Sequence, residues 1–194
     1  AVLNQNGVAY PGWHGAGWET ANRFLREVLE QADHVLYQSQ FCKLGADRYL
    51  APRDAACEVL YNPIDTTLFR PAAVALPRAP VRLLLAGSHQ HFYRIQTAVD
   101  ALKRLREQNL EVMLEIAGRC SWDSGASSAE EQVRKYVESQ GLSGAVTLSG
   151  PYTQVEARSL FHRTHVLIHT QYNDSCPRLV LEAMACGVPV AYSA

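Results

Sequence analysis

The chain has 194 residues, 47% of them hydrophobic, with 18 basic side chains against 19 acidic ones. That is enough apolar content to bury a core in one or two domains, and the near-zero charge without a long basic run argues against nucleic acid as a partner. No apolar stretch is long enough to cross a bilayer and no signal peptide is visible, while the scattered cysteines (Cys42, Cys57, Cys120, Cys176 and Cys186) lack CxxC spacing, against a disulfide framework or zinc site and for a reducing cytoplasm.

Residues 1–5 read as a short strand running into an Asn6-Gly7 turn, followed by a loop rich in glycine and tryptophan over 11–18. A helix is expected over 18–31, with Trp18, Ala21, Leu25, Val28 and Leu29 spaced for one face. A strand over 32–39, a helix over 41–50 and a strand over 58–62 complete a βα alternation that predicts a parallel sheet. Residues 72–80 are rich in Ala and Pro without a helical period and read as a linker. The expected organisation is a first domain over 1–72, a linker over 73–80 and a second domain over 81–194.

The second half repeats the alternation more cleanly. Residues 81–86 form an apolar run ending at Gly87, and Ile95, Ala98, Val99, Leu102 and Leu105 mark an amphipathic helix. Val112, Leu114 and Ile116 alternate with Glu111, Met113 and Glu115 in a strand that ends at Gly118. Ser128-x-x-Glu131 has the pattern of a capping box opening a helix that stops at Gly141. A strand at 146–149, a helix at 154–163 and a strand at 166–169 follow. Ligands of open α/β sheets sit beyond the strand carboxyl ends, which here carry Gly87-Ser88-His89, Gly118-Arg119-Cys120, Ser149-Gly150 and Thr170-Gln171.

The last stretch, residues 173–190, reads as a polar loop, a helix and a turn into a strand. Pro177 suits a first helical position, Gly187 a left-handed cap, and Pro189 enforces the stop. Asp174 before the helix and Glu182 within it are separated by seven residues, and the helix N-terminus between them suits a phosphate. Leu179, Val180, Ala183 and Met184 fall on one face and read as core, and Arg178 and Glu182, four apart, also fit a simple surface ion pair.

This segment resembles the donor-site signature of the retaining family 4 (group 1) glycosyltransferases, Glu-x7-Glu followed by Ala-Met-Ala-Cys-Gly-x-Pro-Val, with Asp174 in place of the first Glu and Ser175-Cys176-Pro177 in place of Gly-Phe-Gly. Residues 62–71 similarly resemble the family's interdomain segment. The resemblance implies two Rossmann-like domains with parallel sheets, a GT-B arrangement incomplete on both sides in this chain. Both chain ends look cut, so an internal fragment of a longer enzyme is expected.

The resemblance also implies roles. Asp174 contacts the donor sugar, Glu182 the nucleotide ribose, and the amides of Ser175, Cys176, Pro177 and Arg178 surround the diphosphate; proline itself offers no N–H. Gly87, Ser88, Arg94 and Arg119 are candidates for the phosphate side, with Ser88 standing where the family has Arg and Arg94 one place beyond its Lys. For Arg94 a solvated helix-end charge is the equal alternative. Asn6 and Gly7 occupy the place of a family His that contacts the sugar, and His14 is a candidate replacement, unless that loop only shapes the acceptor cleft through Trp13 and Trp18. His89 and His91 read as loop residues, and His162, His165 and His169 as packing or surface.

The expected function is transfer of a sugar from a nucleotide-diphosphate sugar to a carbohydrate, lipid or other hydroxyl acceptor, with retention of configuration, no metal and no cofactor. Peripheral membrane contact is compatible with this. The alternatives are a non-catalytic relative that binds a nucleotide sugar, or another nucleotide-sugar enzyme such as an epimerase. A dehydrogenase is disfavoured because no strand is followed by G-x-G-x-x-G.

Overall fold

The computed structural model describes residues 1–122 and 126–193. The chain forms two units, Ala1–Pro63 with Tyr172–Arg178, and Ile64–Gln171 with Leu179–Ala194.

In the first unit, strands β1 (Val2–Gln5), β2 (His34–Tyr37) and β3 (Cys57–Val59) run parallel in that order. Helices α1 (Pro11–His14), α2 (Trp18–Gln31) and α3 (Gln40–Tyr49) connect them. The short α1 falls in the expected glycine–tryptophan loop: Pro11 opens it and Gly15, at φ 72°, closes it. Along α2, Ala21 is exposed and Asn22 takes its place on the buried face with Leu29. Asn22 Oδ1 accepts from the Ala9 N–H at 2.9 Å and its Nδ2 donates to the Ala9 carbonyl at 2.8 Å, so the buried amide is satisfied. Leu29, Val35, Tyr37, Cys42, Ala46 and Leu50 form this unit's core.

The second unit contains β4 (Val81–Ala86), α4 (Phe92–Glu107), β5 (Val112–Ala117), α5 (Ala126–Ser139), β6 (Val146–Gly150), α6 (Gln154–Phe161), β7 (Val166–His169) and β8 (Val190–Tyr192). Helix α7 (Arg178–Ala185) starts at the residue after Pro177. The five strands are parallel in the order β6-β5-β4-β7-β8. Alternation along β4 sends Leu83 and Leu85 into one core with Ile95, Val99 and Leu102, and Leu84 and Ala86 into another with Phe161, Leu167 and Ala183. The chain steps outward from β4 to β6 and then returns to β7 on the other side. The strand order therefore reverses between β4 and β7, where such sheets open a ligand crevice.

Three expectations change. The chain divides at Pro63/Ile64 rather than near 73–80, because the segment before β4 is fastened to the second unit. Phe69 is buried with its ring 6.1 Å from that of Phe161, His162 Nε2 donates to the Arg70 carbonyl, and His165 Nε2 donates to that of Pro77, both at 2.8 Å. Ser128 and Glu131 lie inside α5, whose preceding residues 123–125 fall outside those described, so they form no box at its start. The capping box is at α6, between Thr153 and Glu156. On α7, Leu179, Val180 and Ala183 pack into the core as expected, but Met184 is 60% exposed and Glu182 is buried on the helix.

Candidate functional site

The strand ends at the switch point are built from glycine. Gly87, Gly118 and Gly150 have φ of 113°, 118° and 69°, and a Cβ on Gly118 would collide with the Gly87 carbonyl oxygen. Backbone thus approaches backbone where β4 and β5 end. Arg94, on the first turn of α4, is only 5% exposed, so it is not the solvated helix-end charge allowed by the sequence. Its Nη1 donates to the Ser88 carbonyl at 2.8 Å, and its own carbonyl accepts from Thr170 Oγ1 at 2.9 Å. Thr170 follows β7, so this bond ties the two sides of the switch point together. A cation buried at a helix N-terminus opposes the helix dipole.

His89 lies in the loop after β4, as expected, but is wholly buried there. Its Nε2 donates to the Ala117 carbonyl at 3.0 Å, and burial, then the charge of Arg94, lower its pKa to about 4. The ring is neutral at physiological pH and adds no second positive charge beside Arg94.

Glu182 is 7% exposed, and Gln154 Nε2 donates to its Oε1 at 3.0 Å. The α6 capping box sets the start of the helix and so the position of Gln154, its first residue. Half-buried Tyr152 lies within electrostatic reach of both charged groups. Burial, then the negative charge of Glu182, push its hydroxyl up to about 12, while Arg94 and a backbone hydrogen bond at Gly87 oppose the rise. Gly87, Ser88, Arg94 and Glu182 are therefore gathered into one cluster. Arg119 stands exposed beyond β5, and its carbonyl accepts from the His89 N–H at 2.9 Å.

In the first unit, three polar residues follow the three strands and hold the 172–178 segment. Ser39 Oγ donates to the Ser175 carbonyl at 2.7 Å, Asn62 Nδ2 to the Cys176 carbonyl at 3.2 Å, and Ser175 Oγ to Asn6 Oδ1 at 3.1 Å. Gly7 lies against the same serine; a Cβ there would sit 3.9 Å from its Oγ. Asn6, Gly7, Ser175 and Cys176 are thus together, with Pro177 next in the segment and Asp174 and Arg178 exposed on it. His14 is exposed on α1, its ring 6.0 Å from that of Trp13. The sequence reading names Thr170 only as a strand-end residue and gives Tyr152, Gln154, Ser39 and Asn62 no part in building the site. The usable signals were Thr153-x-x-Glu156, and polar residues directly following apolar strands.

Among the described residues, no group of three or more His, Cys, Asp or Glu side chains is arranged to hold a metal ion. No helix among them is long and apolar enough to cross a membrane.

Two parallel α/β units, one with a charged cluster at its switch point, have the architecture of a GT-B fold. The family model for glycosyl transferases group 1 matches residues 71–194, and the chain belongs to that family. It is 29% identical over 172 residues to a D-inositol 3-phosphate glycosyltransferase of Mycobacterium leprae, a match covering 87% of this chain and 40% of that protein. Among solved structures, it resembles Anabaena HepE in complex with UDP and glucose, with TM-score 0.78 and 18% identity over 97% of this chain and 51% of the other. It also resembles sucrose-phosphate synthase from Thermosynechococcus elongatus, with TM-score 0.78 and 23% identity over 91% and 44%. The chain thus spans about 40% of the length of the curated relatives it matches.

Proposed function

We propose that the protein to which this chain belongs is a glycosyltransferase that moves a sugar from a nucleotide-diphosphate sugar to an acceptor hydroxyl, with retention of anomeric configuration. The observation that carries this reading is the buried pair of opposite charges, Glu182 and Arg94, in one cluster at the strand ends of the switch point. A nucleotide diphosphate presents ribose hydroxyls that suit the first and an anion that suits the second. Glu182 holds the ribose, and Arg94 and the amides of Ser175, Cys176 and Arg178 take the diphosphate. Asp174 holds the sugar. Charge developing on the leaving diphosphate is met by groups already in place, which is where such catalysis gains most. The complexes of Anabaena HepE with UDP and glucose and with UDP-glucose support a nucleotide-sugar donor. The reaction runs without metal or cofactor, in the cytoplasm; the five free cysteines accord with that location.

A non-catalytic binder is the second reading, favoured by Ser88 in the place of the family Arg and Asn6 in the place of its His. One experiment separates them. The full-length protein is offered a panel of UDP-, GDP- and ADP-sugars with simple acceptors, and donor consumption and product anomer are followed by NMR. Turnover with retained configuration supports the proposal; binding without turnover supports the second reading, and no binding rejects both.

A further inference from the structure

A cavity of about 300 Å³ lies in the first unit, between α3 and the end of β1. Phe41, Leu44, Gly45 and Arg48 share one face of α3 along its wall, with Tyr10 and Tyr49 on another side. Gly45 keeps the space open: a Cβ there would already come within 3.3 Å of Val8 Cγ2. Arg48 lays its guanidinium over the Tyr49 ring at 5.2 Å, and Tyr10 and Tyr49 stack at 5.8 Å, so the wall is braced. Phe41 and Leu44 are 55% and 59% exposed, which leaves two large apolar side chains in water at the rim. The remaining edge is Gly7, Asn173 and Ser175, from the strand end and loop assigned above to the donor side.

We infer that this cavity binds an apolar group, an aromatic ring or short alkyl chain, attached to the acceptor. The inference rests on the glycosyltransferase reading for the identity of the occupant as acceptor. The volume is at the lower end for small-molecule pockets and too small for a helix or strand of another protein. Its lining is aromatic and aliphatic, so a bare sugar would leave hydroxyls without partners there, whereas an apolar substituent covers Phe41 and Leu44. Its edge at Ser175 sets the substituent beside the place where the transferred sugar is held.

The test compares binding of octyl glucoside, 4-nitrophenyl glucoside and free glucose to the full-length protein, by calorimetry and by fluorescence of Trp13, whose ring is 6.4 Å from Tyr10. Both glycosides are expected to bind at least about tenfold more tightly than glucose, and Gly45→Leu, which fills the cavity, to remove most of that difference. Leu44→Asp makes only the exposed rim polar and is expected to act in the same direction, so the test survives if Gly45→Leu fails to fold. Equal binding of the three ligands, or a preference unchanged by both substitutions, overturns the inference. UDP, GDP and ADP are titrated into the same samples. Loss of nucleotide binding alone contradicts the donor-site reading and leaves the apolar pocket standing as measured.

Discussion

A buried guanidinium and a buried carboxylate are each expensive to desolvate, and a protein keeps them where a ligand or a function repays the cost. Arg94 and Glu182 were both named from sequence, but their burial was not legible, because four-residue spacing places Glu182 equally well on an exposed face. The exposed Asp174 was legible only through resemblance. Asp174→Asn is expected to lower turnover at least about tenfold while nucleotide affinity stays within about twofold, because a sugar contact that strengthens in the transition state acts on rate. Steady-state kinetics beside calorimetry decides this, and equal losses would place Asp174 at the phosphate end. His89 gives a pH signature. Its native pKa of about 4 lies below the ordinary 6.5, so between these values the unfolded chain binds a proton that the native one does not. Stability is fully present above the upper value and falls as pH drops through the window, by on the order of 3 kcal/mol. His89→Gln is expected to flatten that dependence in urea unfolding measured at pH 7.5 and pH 4.5. An unchanged slope would show that another group dominates.

At the scale of elements, strict periodicity was reliable and polar signals were not. Helix α4 buries Ile95, Ala98, Val99 and Leu102 as its spacing requires, and β5 buries Val112, Leu114 and Ile116. Capping was misplaced because Ser-x-x-Glu recurs inside helices, whereas Thr153-x-x-Glu156 opens one. On α2 and α7 the buried face includes Asn22 and Glu182, polar residues that a hydrophobic stripe leaves out. The glycines separate two kinds of constraint. Gly118 and Gly141 both have positive φ, but a Cβ on Gly141 meets nothing within 4 Å. Gly141→Ala is expected to cost about 1 kcal/mol of conformational strain, and Gly118→Ala at least about 3 kcal/mol because the strand end must move as well. Thermal unfolding of the two variants checks the order, and equal costs would mean the β4–β5 end relaxes freely.

For the whole molecule, fold class followed from βα alternation, and the family from the 173–190 signature, while the division at Pro63/Ile64 did not. That boundary depends on Phe69 and two histidines gripping a segment whose composition reads as linker. The proposed donor site assigns the diphosphate to Arg94 and backbone amides rather than to a metal ion. Transfer by the full-length protein is therefore expected to persist in EDTA, and loss of activity restored by magnesium or manganese would contradict that.

The most direct test of the account is calorimetric titration of UDP, GDP and ADP into the full-length protein and its Glu182→Gln variant. A buried carboxylate that accepts ribose hydroxyls contributes charged hydrogen bonds of about 1.5–3 kcal/mol each. The variant is predicted to fold normally and to bind the preferred nucleotide at least about tenfold more weakly. Unchanged affinity would remove Glu182 from the nucleotide site and contradict the central claim.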